Sequence, residues 1–216
     1  ISQGTGAIAI GNLSGVNIQG TGSIAIGDQS GYCGQGQYSI ALGVQAGNTS
    51  QGTGSIAIGY QSGNTSQGSG SIAIGYQSGN TSQGSGAISF GYKSGQYNQG
   101  SNSISIGTLS GNTGQQSLGI SVGYQAGYFN QGSGSIALGN YAGYSGQASN
   151  SIVINATTGV INNTTSNSCI ITPIRNSSTA TNVLLYESTT GEVTYGTYNS
   201  TGTTGTTGPT GWTGST

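Results

Sequence analysis

The sequence has no histidine and no methionine, two prolines, two cysteines and only five charged residues in 216. Asp28, Lys93, Arg175, Glu187 and Glu192 are the whole charge inventory, for a formal net charge of −1. Without histidine, and with carboxylates this sparse, the chain offers no serine triad, no metal cluster and no carboxylate pair. Serines are plentiful, but no base stands by to activate one. The expectation is a chain that is not an enzyme and holds neither cofactor nor metal. Two cations make no basic patch for nucleic acid, and no amphipathic or polybasic segment points to a membrane surface. No run of about twenty apolar residues is available to span a bilayer.

What the chain has instead is 44 glycines and a great deal of Ser and Thr. Leu, Ile, Val and Phe together make up less than a fifth of it, a composition that alone would suggest disorder. Their placement says otherwise. Residues 55–70 read SIAIGYQSGNTSQGSG, and residues 71–86 repeat the same letters. The first isoleucine of the unit recurs at Ile8, Ile24, Ile40, Ile56, Ile72, Ile88, Ile104, Ile120, Ile136 and Ile152, ten units at a spacing of sixteen. A second apolar residue follows two positions later, as at Ile58, Phe90, Val122 and Leu138, with a small residue between. Glycines and a glutamine recur in step, as at Gly59, Gly63 and Gln67.

Apolar residues at i and i+2 carry the period of a strand. Glycine every few positions excludes a helix, since each costs about 1 kcal/mol in a helix interior. A short strand, glycine turns and a second polar strand, back in phase after sixteen residues, describe one coil of a β-solenoid. Coils stack at roughly 4.8 Å, so ten of them make a rod on the order of 50 Å long, with like residues in ladders. The expected core is thin, about two large apolar side chains per coil. The Ala or Ser between the isoleucines is expected to let a neighbouring chain approach closely. Lateral association follows, because such a coil struggles to offset its ordering entropy.

The sequence opens on ISQG, matching the tail of a repeat, and closes on TGST inside another repetitive stretch. It reads as a window on a longer protein, so missing targeting signals carry little weight. Three parts are expected: residues 1–155 as the ten-coil repeat region, 156–199 as a β neck with a hairpin, and 200–216 as a collagen-like segment. The hairpin is read from Val183–Glu187 and Glu192–Tyr195 with a turn between. In the last segment glycine falls at every third position from Gly202 to Gly214, the requirement of a collagen triple helix. A flexible Gly/Thr linker is the plainer reading of five such triplets.

Cys33 and Cys169 lie eight or more coils apart, roughly 40 Å at the stacking distance, too far for a disulfide. They are expected as two small buried thiols. The motif GSGSIA looks like a dinucleotide fingerprint, but it precedes a strand rather than a helix and lacks the acidic partner. Tyr60, Tyr76 and Tyr92 share one repeat position, which Tyr124 rejoins after Thr108. They are expected to form a surface ladder that stabilises the turns, or else a platform for a host-surface glycan or receptor. Asn48, Asn64 and Asn80 begin in-register sequons, so they read either as glycosylation sites or as a plain asparagine ladder.

The S-I-A-I-G unit, recurring ten times across residues 1 to about 155, resembles the head repeat of trimeric autotransporter adhesins. That resemblance implies a left-handed parallel β-roll in a homotrimer, displayed on a surface and used for attachment. The period of sixteen is longer than that family's usual unit, so the turns must be longer. Ser151–Thr157, Pro173–Asn176, the NVLLYESTTGEVTY hairpin and TGPTGWTG are similar to fibre proteins of bacteriophages and giant viruses. The resulting expectation is an all-β, homotrimeric fibre segment, extracellular, on the surface of a virion or cell. Its partners would be itself and a host glycan or receptor, with no nucleic acid and no membrane insertion. Two other readings stay open. One is a self-assembling extracellular matrix filament. The other is an ice-binding solenoid, whose Thr49, Thr65 and Thr81 pattern is lost at Gln35 to Tyr38 and again at Tyr97.

Overall fold

The computed structural model describes residues 2–176 and 182–197. The collagen-like reading of 200–216 falls outside the described residues. The chain divides into two compact units, Ile1–Ile174 and Arg175–Thr216.

The first unit is an all-β parallel solenoid whose coils stack sixteen residues apart. One sheet holds eleven parallel strands, from Ile8–Ile10 through Ile56–Ile58 and Ile72–Ile74 to Ile152–Asn155 and Cys169–Thr172. A second holds six, Asn17–Gln19, Cys33–Gln35, Thr49–Gln51, Thr65–Gln67, Thr81–Gln83 and Tyr97–Gln99. Register is in phase throughout: Ile56 pairs with Ile72, Ala57 with Ala73, and Gln67 with Gln83. Corners are bonded coil to coil as well, Gly63 N–H donating to Ser78 O at 2.9 Å. Beyond Gln99 the second sheet reduces to single bridges at Thr113, Phe129 and Ser145. The change coincides with Gln116, which carries a Cβ where Gly68, Gly84 and Gly100 have none. A Cβ on Gly100 would meet the Gln116 carbonyl carbon at 2.5 Å.

The interior is not where the periodicity placed it. Ala25, Ala41, Ala57, Ala73 and Ala137, with Ser89, Ser105 and Ser121 at the equivalent position, are fully buried. The isoleucines on either side point outward, and Ile10 and Phe90 are 57% and 53% exposed. The small residues therefore make the core, and the large ones make the surface that a neighbouring chain would meet. The cross-section explains the inversion. Gly63, at φ +51°, lies so close across the coil that a Cβ on it would stand 3.2 Å from the Ala57 Cβ and 2.6 Å from Gln67 Oε1. Such a lumen accepts a methyl or hydroxymethyl group but no isoleucine. Two-residue alternation separates the faces of a strand without saying which is inside.

Filling the rest of the lumen are serines and glutamines. Ser62 Oγ donates to Ala73 O of the next coil at 2.6 Å. Gln67 is buried and donates its amide to Ile56 O at 2.7 Å, tying the second sheet to the first. The same bond recurs at Gln19, Gln35, Gln51 and Gln83.

The first sheet does not stop at the tenth repeat. Cys169–Thr172 pairs with Ile152–Asn155 as an eleventh strand after a spacing of seventeen, Ile152 opposite Cys169. Cys169 thereby joins the outward isoleucine column and is exposed, while Cys33 is half-buried in the second sheet. Both thiols are free. The expected buried pair is therefore corrected: Cys169 is exposed and Cys33 only half-buried.

In the second unit Asn182–Glu187 and Glu192–Thr197 pair antiparallel, Leu184 opposite Tyr195 and Glu187 opposite Glu192. Thr189 N–H donates to Glu187 Oε1 at 2.9 Å in the turn. That bond, and the Thr189 hydroxyl with it, holds the Glu187 carboxyl below its ordinary pKa. Leu184, Tyr186 and Tyr195 are all exposed.

Candidate binding surfaces

Three surfaces run along the coils. The first is the outward face of the eleven-strand sheet, two columns of Ile, Leu, Val and Phe in continuous register from Ile8 and Ile10 to Ile152 and Ile154. None of these side chains is fully buried. Each isoleucine stands to gain on the order of 1 kcal/mol from being covered, about half the value of a full burial.

The second is the corner after each first strand. Tyr60 and Tyr76 stack at 5.1 Å between ring centroids, tilted by 14°, and Tyr76 and Tyr92 at 5.3 Å and 12°. Rings on successive coils must sit near the strand spacing, which suits parallel stacking. Lys93 Nζ lies 5.4 Å from the Tyr92 ring centroid. Both faces of the middle ring are taken by its neighbours, so the ladder offers edges and hydroxyls rather than open faces. Tyr124 does not continue it. Thr108 interrupts the column, and Tyr124 instead meets Tyr141 edge-on at 5.3 Å and 88°.

Amides fill the adjoining columns. Gln61 Nε2 donates to Gln45 Oε1, and Gln77 to Gln61, both at 2.7 Å. Where Lys93 takes the glutamine's place, Gln96 supplies the donor to Gln77 at 3.2 Å. Asn48, Asn64 and Asn80 donate to Gln29 O, Gln45 O and Gln61 O of the preceding coil at 2.8, 3.0 and 2.9 Å. Their Oδ1 atoms accept from Thr49, Thr65 and Thr81 at 3.0 Å. All three sequon amides are thus half-buried members of the corner.

A third surface escaped sequence reasoning. Tyr128, Phe129, Tyr141 and Tyr144 gather with Tyr124 on the eighth and ninth repeats. Tyr128 stacks on Tyr144 at 5.3 Å, Phe129 meets Tyr128 at 4.2 Å and 71°, and Tyr141 meets Tyr144 at 5.7 Å and 62°. The bond from Tyr124 to the Tyr141 phenol, with smaller help from desolvation, raises its pKa. The available signal was a departure from the repeat. Tyr128 and Tyr144 stand where Asn64 and Asn80 do, and Phe129 where Thr65 and Thr81 do. Among the described residues no three His, Cys, Asp or Glu side chains gather to hold a metal ion.

In-phase parallel coils of sixteen residues, a small-residue lumen and continuous surface ladders define a β-solenoid of the repeat-protein class. Residues 2–30, 35–62 and 50–78, about a third of the chain, match the family model of the YadA head domain repeat. The repeats are thus similar to those of an adhesin head, as the S-I-A-I-G resemblance implies. No curated protein and no solved structure gives a match.

Proposed function

We propose that the chain is a segment of a homotrimeric surface fibre, structural and adhesive rather than enzymatic, that carries a binding surface away from a virion or cell. The outward apolar face of the first sheet carries this reading. Two unbroken columns of half-exposed Ile and its kin along ten coils are a long apolar strip on a chain with almost no charge. Strips of this kind mark association sites. Copies of the same chain are the occupant that matches it in length and register, and the head-repeat match supports three of them. Left-handed coiling, a trimeric neck built around the 182–197 hairpin, and a collagen-like 200–216 belong to the same proposal. The exposed Leu184, Tyr186 and Tyr195 are the side chains that would meet across such a neck.

The second sheet and its corners would then face outward and display the aromatic and amide columns. The asparagine sequons serve the ladder in this reading, since their amides already close the corners. An ice-binding face is not favoured: the threonine hydroxyls are spent on Asn48, Asn64 and Asn80, and Tyr97 ends their row.

Light scattering on the native assembly, with intact-chain mass spectrometry beside it, tests the proposal. A fixed stoichiometry of three supports the fibre. A stable monomer overturns it, and an open-ended mass distribution replaces it with a matrix filament.

A further inference from the structure

We infer that the aromatic cluster of Tyr124, Tyr128, Phe129, Tyr141 and Tyr144 is a binding site for a neutral hexopyranose oligosaccharide. The inference rests on the displayed-fibre reading and gives it a ligand class and a location.

Four observations converge on this patch. In five repeats, at Asn48, Asn64, Asn80, Gln96 and Asn112, the position of Tyr128 and Tyr144 holds an amide that bonds the coil before; Val16 and Tyr32 stand there in the first two. Asn64, Asn80 and Asn112 bond Gln45 O, Gln61 O and Lys93 O at 3.0, 2.9 and 3.0 Å. Tyr128 and Tyr144 place rings where those repeats have the amide donor. Second, the packing is mixed: Tyr128 and Tyr144 stack as the Tyr60 ladder does, at 5.3 Å and 12°, but the other rings meet edge-on. Parallel stacking covers ring faces, whereas the contacts of Tyr124 with Tyr141 at 88° and of Phe129 with Tyr144 at 82° are edge-on. An edge-on pair leaves one ring of the two with a face not covered by its partner. Tyr124 and Phe129 are 46% and 38% exposed.

Third, residues 119–150 contain no charged side chain, so nothing at the patch favours an acidic or a basic ligand. Fourth, the cluster lies at the first corner and along the second sheet, off the apolar face of the first. Covering that face with copies of the chain leaves it open.

The chemistry of such a patch is amphipathic. Ring faces accept the C–H-rich face of a pyranose, and the phenol hydroxyls bond its equatorial hydroxyls. Tyrosine supplies this contact area with few rotatable bonds to freeze. A protein partner would need an interface of about 800 Å² a side with an apolar centre, more than a corner cluster of five rings offers. One or two sugar rings match it.

The test uses the full chain and an array of neutral and sialylated oligosaccharides, followed by titration of the tightest neutral hit. Tyr128→Asn with Tyr144→Asn installs the residue that stands at this position in four other repeats, Asn48, Asn64, Asn80 and Asn112, so the coil should keep or gain stability. Affinity is expected to fall about tenfold or more, with native mass and Tm unchanged or higher. Tyr60→Asn with Tyr76→Asn, on the stacked ladder, is expected to leave affinity within about twofold. Should the first pair lower Tm, Phe129→Thr decides, again by restoring the common residue, with a several-fold loss expected. The inference is overturned if the wild type binds no neutral glycan, binds only sialylated ones, or keeps its affinity in the restored variants. It is overturned equally if the ladder variants lose as much. Native mass, measured on the same samples, reports separately on the trimer: a monomer that binds neutral glycan would sink the fibre and leave the site standing.

Discussion

Ser105 donates its hydroxyl to the side-chain carbonyl of Gln115, deep in the lumen of its own coil. Ser89 does the same for Gln99, and Ser121 for Gln131. In the coils that carry alanine at that position, the buried Oε1 atoms of Gln19, Gln35, Gln51, Gln67, Gln83 and Gln147 have no hydrogen-bond partner. The alternation of Ala and Ser along the repeat therefore decides whether the inner glutamine is fully bonded. Removing the partner of a buried polar atom costs about 1–3 kcal/mol. Ser105→Ala is expected to lower stability by about that amount, and Ala57→Ser to raise it by roughly 1 kcal/mol, read as shifts of the denaturant midpoint.

Gly63 and Ser66 both sit in the left-handed region, at φ +51° and +56°. They should respond to substitution in opposite directions. Gly63→Ala adds a methyl against Gln67 Oε1 and the Ala57 methyl and takes on a left-handed penalty of about 1–2 kcal/mol. Ser66 is exposed, and Asn98 and Asn130 occupy its position in other coils. Ser66→Asn should therefore stabilise by a few tenths of a kcal/mol. Thermal melting of the two single variants checks the pair.

Tyr76 is stacked on both sides. Replacing it with serine breaks two aromatic contacts and is expected to cost about 1–2 kcal/mol, whereas Tyr92→Ser breaks one and should cost about half as much. Equal losses would show that the rings do not stabilise one another.

Phe90 projects from the isoleucine face. In the proposed trimer Phe90→Asp puts a carboxylate into each interface, where an unpaired buried charge is not tolerated. The native mass should fall from three chains towards one while the circular dichroism of the coil persists.

Glu187 has its carboxyl pKa lowered by the Thr189 N–H and hydroxyl. A carboxylate depressed in the folded state adds stability above its unfolded pKa and loses it as pH falls through the folded one. The hairpin should accordingly loosen on acidification below the ordinary carboxylate range, and Glu187→Gln should abolish that dependence. Amide exchange at Thr189 and Gly191 followed against pH is the measurement.

The period of sixteen, the two strand types, the in-phase stacking and the 182–197 hairpin were all legible in the sequence. Each depends on local repetition or turn chemistry. The side of Ile56 that faces inward was not, because it depends on how near Gly63 approaches across the coil. That distance is set by a closed cross-section no single strand specifies. The eleventh strand was hidden by a spacing of seventeen and by Cys169 standing where the other repeats have isoleucine. At the surface, the Tyr60, Tyr76 and Tyr92 ladder followed from register alone. Tyr124 parted from it because stacking reaches one coil and not two, so Thr108 was enough to release it. The cluster it joined draws on three different repeat positions, and a search along one column could not assemble it.

Residues 55–70 and 71–86 are the same sixteen letters, and their strands pair like residue with like, Ile56 opposite Ile72 and Gln67 opposite Gln83. A copying error that drops or duplicates one such unit in the gene would leave no seam. The lineage would inherit a solenoid shorter or longer by roughly 4.8 Å, with its faces unbroken.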